Sequence, residues 1–581
     1  MKRQQLVRRR LRIVIIGVVL VFSLFGARLF QIQGIDSTAY AAMAVKKGTS
    51  TTDIPAPRGR ILDRNGAELA TSVDAVTLTA DPSMTAAAAP QIARILIEQL
   101  GDESSYFDLI DQLRTPKSRY VVIQRDVPSW TASKVTAAIA KADLSGVFTE
   151  KQAIRSYPGG KLAANLLGYT DGSGRGVAGL EAAYDKVLTG TDGTRTDEVS
   201  VSGQRIPMGN STVTEMKPGR DVTSTIDRDL QWYADKRLAE AVRESSSDWG
   251  LAITMDVKTC QIVQMSQAPT FDADTRTGMN DQNTVSRALQ TVYEPGSVMK
   301  TITMAALADQ GKIAADTEIK VPSKMVIDNF TIGDYWEHGQ LNLTAAGVIA
   351  KSSNLGTIVA AEQMSNETMY KYFSKFGFGQ STGVGLPGES QGILTDGSKW
   401  TKANHATISF GQGVSVTALQ MVRAVGAIAN GGQMCDPSVV SSVEDEDGQS
   451  KDVAKGKSTQ VISKDAARTV TRMMEAVTAD DGTAPAAAIE GYRVAGKTGT
   501  AWRVDPATGT YIRGQNTVSF AGFAPADNPR FLTYIVLDKP YSEAGGGSTA
   551  APVFHDIMSM ALERFGVAPT GAKSPKVAQE W

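Results

Sequence analysis

The sequence predicts an α+β fold carried behind a single N-terminal transmembrane helix. Three observations lead there. A basic opening segment, "MKRQQLVRRRLR", runs into an uncharged stretch, "IVIIGVVLVFSLFGA". Strand signals come in pairs, a hairpin of alternating strands at "LAITMDVKTCQIVQMSQ" (251–267) and a second hairpin-like pair at "YRVAGKTGTAW" with "TVSFAGFAPADNPRFLTYIVLD". Helical patterns fill the long interval between the pairs. That is the order expected of an antiparallel sheet covered by helices.

Residues 1–12 carry six Lys or Arg, which predicts a cytoplasmic N-terminus. Residues 13–33 reach the roughly 20 residues a spanning helix needs if Arg28 snorkels toward the far interface. An uncleaved anchor is favoured over a signal peptide, because the small residues of "STAYAAMA" (37–44) lie far beyond the apolar core. One such run predicts a single pass, with everything after about residue 35 outside the cell.

At 581 residues the chain is too long for one core. Residues 34–220 are read as a non-catalytic pedestal. Within it, "RILDRNGAELA" predicts a strand, an Asn-Gly turn and a second strand, and 85–145 reads as helical. The turn-rich "EMKPGRDV" near 220 marks a boundary. Residues 221–565 form the second domain, opening with a strand and an amphipathic helix over 222–245. The tail 566–581, "GVAPTGAKSPKVAQEW", is expected to be disordered.

A net charge of −1 and 42% hydrophobic residues give no sign of a nucleic-acid binder. His338, His405 and His555 lie far apart, and Cys260 and Cys435 are the two cysteines, so a metal site is not expected. A disulfide between them is compatible with the sequence but not deducible from it. There is no phosphate-binding loop or dinucleotide fingerprint, and no cofactor is expected.

The chemistry sits in three short motifs. In "YEPGSVMK", Ser297 is the one serine in the chain with a lysine, Lys300, three residues on. Positions three apart share a helix face. A helix N-terminus also favours developing negative charge. Taken singly, the motif reads more readily as a capped helix with a commonplace lysine. "AKSSNLGT" then supplies the unique Ser352-x-Asn354, and "VAGKTGTA" the unique Lys497-Thr498-Gly499, followed by Thr500. Each has its ordinary reading, Ser352 or Ser353 as a helix cap and 497–500 as an exposed strand. The three in order are the set found in penicillin-binding proteins and serine β-lactamases.

From about residue 55 to 560 the chain resembles the class B penicillin-binding proteins, closest to the FtsI type of peptidoglycan D,D-transpeptidase. "RGRILDRNG", "RSYPGG", "GLEAAYDKVLTG", "YEPGSVMK", "GKTGTA" and "SFAGFAPADNPRF" carry the resemblance in the family's order. It departs at Cys260, where the family's hairpin turn usually has glycine, and at Val298 and Met299.

The resemblance implies a penicillin-binding-protein/β-lactamase-like transpeptidase domain on an elongated pedestal or dimerisation domain. Ser297 would attack a D-Ala-D-Ala stem peptide and pass the acyl group to a neighbouring amine. It implies β-lactam binding, a SEDS-type membrane glycosyltransferase and other divisome proteins as partners, and a role in septal wall synthesis. Serine needs a base, and no histidine forms a recognisable triad. Lys300 can serve only when neutral, with burial and Lys497 as the second cation lowering its pKa. Ser352 is expected to relay a proton to the leaving amine. Asn354 should offer its amide to the substrate backbone and to Lys300. Lys497, Thr498, Gly499 and Thr500 should form a substrate-binding strand edge, with the backbone N–H groups of Ser297 and Thr500 as an oxyanion hole.

The alternatives are an elongation-type enzyme, a D,D-carboxypeptidase or β-lactamase in which water takes the acyl group, and a non-enzymatic β-lactam sensor. The short cytoplasmic segment weighs against the sensor. The anchor and pedestal weigh against a free β-lactamase. The stretch 36–220 lacks the acidic motif of a peptidoglycan glycosyltransferase.

Overall fold

The computed structural model describes residues 2–35, 48–101, 105–200, 206–453, 456–505, 508–541 and 545–581; the small-residue stretch 37–44 lies outside them. Helix α1 (Lys2–Phe30) opens the chain. Among the described residues, Val7–Gln33 is the one helix long and apolar enough to cross a membrane, with mean hydropathy 2.5 and no part of its apolar window buried. Its exposed Ile, Val, Leu and Phe side chains have no protein to pack against, as a lipid-facing helix requires. A single-pass membrane location follows.

The rest forms two compact units that interleave along the sequence. The first draws on residues up to 57, on 75–153 and on 190–218; the second on 58–74, 154–189 and 219–581. In the first unit, β1 (Thr49–Ile54) pairs antiparallel with β2 (Gly193–Glu198), and β2 with β3 (Ser211–Thr214). The helices Ala89–Leu100, Tyr106–Leu113 and Ser129–Lys141 bury Ile92, Leu96, Leu109, Leu113, Val135 and Ile139 in one cluster. The helical reading of 85–145 misses one strand, Val121–Pro128, whose Ile123 and Val127 enter the same cluster.

The second unit begins its main run with α2 (Arg228–Glu244), capped by the Asp227 side chain, then β4 (Trp249–Asp256) and β5 (Gln261–Ala268). There follow α3 (Met299–Asp309), β6 (Glu318–Val321), β7 (Leu341–Thr344), α4 (Ala345–Ala350), α5 (Asn354–Ala361), α6 (Ala418–Ala429) and α7 (Lys464–Glu475). β8 (Ala495–Val504), β9 (Tyr511–Ala524), β10 (Phe531–Asp538) and α8 (Ala551–Arg564) complete it.

The sheet is antiparallel, in the order β5-β4-β10-β9-β8. β4 and β10 are buried at every position, because α2 and α8 cover the sheet on one side and α6 packs on it as well. The expected α+β class and sheet-with-helices layout are borne out. β8 ends the order, so one of its edges carries no strand of this sheet.

Three sequence motifs converge on one buried carboxylate in this unit. Glu181 of "GLEAAYD" accepts from Arg58 of "RGR" and Arg155 of "RSYPGG", each at 2.7 Å, and its side chain is fully buried. Removing the charge leaves Arg155 without a carboxylate partner in a dry interior and leaves Arg58 with Asp185 alone. Glu181→Gln is therefore expected to cost about 3–5 kcal/mol, measured as a lower urea midpoint of the detergent-solubilised chain; an unchanged midpoint contradicts the clasp.

Cys260 and Cys435 are joined in a disulfide, with Cα atoms 6.2 Å apart. Cys260 has φ of +58° in the turn between β4 and β5, a left-handed backbone that suits the glycine expected there.

The tail departs from expectation. Residues 566–581 are described, and 578–581 run beside β7 in an antiparallel bridge, Leu343 opposite Glu580. Its polar, Pro- and Gly-containing composition reads as unable to build a core. It needs none, because it borrows an existing strand edge.

Candidate active site

Ser297 lies in a 3-10 turn, Gly296–Val298, that leads into α3. The cap positions of these two helices are Pro295 and Val298, so Ser297 is inside the turn rather than capping it. It is half-buried and lines a cleft of about 1520 Å³, together with Ser352, Asn354, Thr498 and Thr500.

Two glycines permit the crowding around it. Gly296 has φ of +55°, and a Cβ there would meet the Thr500 carbonyl oxygen at 2.7 Å. A Cβ on Gly499 would come within 3.0 Å of the Pro295 carbonyl and of Val298. The Ser297 turn and strand β8 therefore lie backbone to backbone.

Lys300, one turn on, is fully buried. Its Nζ donates to the Ser352 carbonyl at 2.5 Å and approaches the Ser352 hydroxyl at 3.4 Å. Burial pushes its pKa down to about 7, with the Asp334 carboxylate opposing. Lys497, also fully buried, donates to Ser352 Oγ at 2.9 Å and to the Thr498 carbonyl and hydroxyl at 3.0 and 3.1 Å. Burial, and then the Lys300 ammonium, hold it well below the usual lysine range. Burial, rather than Lys497, is the main cause at Lys300.

The second motif separates its two serines. Ser353 Oγ caps α5, accepting from Gly356 N at 2.9 Å, which is the ordinary role for a serine there. Ser352 stands in a left-handed conformation, φ +57°, and turns its hydroxyl to the two lysines. A non-glycine residue held this way marks a constrained site. Asn354 differs from expectation. Its side-chain amide donates to the Gly333 carbonyl at 3.2 Å, and among the described residues no bond joins it to Lys300, whose ammonium is taken by Ser352.

Sequence reasoning missed two acids. Asp334 is buried and accepts from Ser353 Oγ at 2.6 Å, from the backbone N–H groups of Asn354 and Leu355 at 2.5 and 3.0 Å, and meets His338 Nε2 at 3.1 Å. It holds the start of α5 from a separate loop, and a lone aspartate 20 residues from its target leaves no spacing signal. Asp334→Ala is expected to lower β-lactam acylation about 10²-fold by loosening Asn354 and Ser352, with the rate measured by stopped flow; a change under about twofold would remove Asp334 from the site. Glu294, just before the Ser297 turn, accepts from Gly413 N at 2.7 Å and from the Tyr511 hydroxyl at 3.1 Å. Its burial pushes the carboxyl pKa up.

Two known domains match the chain: residues 250–559 match the penicillin binding protein transpeptidase domain, and 53–224 the penicillin-binding protein dimerisation domain. The chain belongs to the class B penicillin-binding proteins. It is 34% identical to penicillin-binding protein PbpB of Mycolicibacterium smegmatis, over 95% of this chain and 90% of that one. It is 31% identical to peptidoglycan D,D-transpeptidase FtsI of Escherichia coli, over 93% and 90%. The crystal structure of penicillin binding protein 3 from Mycobacterium tuberculosis complexed with aztreonam superposes with a TM-score of 0.70 at 32% identity, covering 91% of this chain and all of that one. The fold and family are those of a serine D-Ala-D-Ala transpeptidase that binds penicillins.

Proposed function

We propose that this protein cross-links peptidoglycan through an acyl-enzyme on Ser297. The observation that carries the proposal is the Ser352 hydroxyl within reach of two buried lysines beside the Ser297 turn. Ser297 Oγ attacks the carbonyl of the penultimate D-alanine and passes its proton to neutral Lys300. The oxyanion is met by the backbone N–H groups of Ser297 and Thr500. As the C–N bond breaks, Ser352 hands a proton to the departing D-alanine amine. An amine of a neighbouring stem then runs the same steps in reverse. Splitting the exchange in two lowers each barrier.

The open edge of β8 is suited to a peptide adding as a strand, with Lys497, Thr498 and Thr500 holding its carboxylate. Gly499 keeps that strand close to Ser297. Asn354 orients the substrate backbone. Residues 34–220 serve as a pedestal, with the N-terminus in the cytoplasm and residues 221–565 as the catalytic domain outside the cell.

Resemblance to the FtsI type supports septal synthesis alongside a SEDS-type polymerase and other divisome proteins. A fluorescent fusion combined with depletion tests this: septal foci and filaments support it, and lateral signal with rounded cells contradicts it. The reaction itself is tested with a D-Ala-D-Ala stem peptide and an amine acceptor. Cross-linked product with D-alanine release is expected; hydrolysis alone would make the protein a carboxypeptidase.

A further inference from the structure

We infer that residues 577–581 are a positioning strand of the catalytic site, acting through α4 on Ser352. The inference rests on the transpeptidase reading above. These residues grip α4 along its whole length. At its start, the Thr344 hydroxyl donates to the Ala578 carbonyl at 2.6 Å and accepts from Gly347 N at 3.0 Å. A hydroxyl has one proton, so giving it to Ala578 leaves a lone pair for the helix N–H.

At the middle of α4, Gly347 lies so near the Gln579 carbonyl that an added Cβ would sit 1.9 Å from that oxygen. At its end, Lys351 pairs with Glu580 at 3.3 Å, and both side chains line the cleft. Backbone bonds from Thr344 N to Gln579 O, 3.0 Å, and from Trp581 N to Asn342 O, 3.2 Å, seat the strand on β7. Lys320 stands over the Trp581 ring, and Val577 packs on the main core.

α4 in turn fixes the catalytic turn. Ser352 N donates to Ile349 O at 3.2 Å and Ser353 N to Val348 O at 3.0 Å, so the left-handed Ser352 hangs directly from this helix. Its carbonyl and hydroxyl are what the two buried lysines hold. A six-residue helix has little stability of its own. The added strand supplies what α4 lacks, and a strand seated on an edge can be removed and replaced.

The test uses the full chain in detergent, with a fluorescent penicillin as the probe. Deleting residues 577–581 is expected to slow the first-order acylation step about ten-fold or more. A synthetic peptide spanning 575–581 should restore the rate. Gly347→Ala, which leaves no room for Gln579, should show the same loss and resist rescue. Unimpaired acylation after the deletion overturns the inference. So does a loss that the peptide fails to restore, because that is general destabilisation. If the undeleted chain shows no labelling at Ser297, the transpeptidase reading itself fails, independently of the strand.

Discussion

Ser297→Ala is expected to abolish covalent labelling by a fluorescent penicillin while leaving the fold intact. The side chain is half-buried at the mouth of a turn whose position is fixed by backbone contacts of Gly296 with Gly411 and Thr500, not by the hydroxyl. Losing one oxygen atom there leaves the packing unchanged, so the unfolding free energy should stay within about 0.5 kcal/mol of the parent. The effect on labelling is total, because no acyl-enzyme forms without its nucleophile. Label recovered on another serine would place the chemistry elsewhere.

Lys300→Met should separate catalysis from stability. Holding a lysine near pKa 7, against an ordinary 10.5, costs the folded state on the order of 5 kcal/mol. The shift is downward, so the unfolded chain binds the proton more tightly. The penalty is largest at low pH and fades as pH rises toward the unfolded pKa. Methionine fills a similar volume without that penalty, though it gives up the bond to the Ser352 carbonyl. Acylation should fall by about 10²–10⁴-fold, the usual worth of a positioned base. The melting temperature should hold or rise. A lower melting temperature with acylation retained would reverse both expectations.

Much of this was legible in the sequence for local reasons. Ser297 with Lys300, Ser352 with Asn354, and 497–500 are short-range patterns, and the β4–β5 and β8–β10 strands announce themselves as hairpin-like pairs. The contacts that complete the site are long-range. Asp334 reaches across 20 residues to Asn354, and Thr344 meets Ala578 across 234. No spacing rule links such partners. The tail illustrates the limit: "KSPKVAQEW" has the composition of a disordered segment, yet the β7 edge orders it. The expectation that the Asn354 amide serves Lys300 has no spacing signal behind it. Geometry gives the Lys300 ammonium to the Ser352 carbonyl instead.

The central claim is that a buried lysine, neutral at working pH, takes the proton from Ser297. Its most direct test is the pH dependence of penicillin acylation by the parent protein. Lys300 accepts a proton only when deprotonated, so the rate should climb with pH and reach half its plateau at about 7, where burial sets its pKa. The Lys300→Met protein should lack that step. A parent rate that is flat, or that falls with rising pH across this range, would contradict the account.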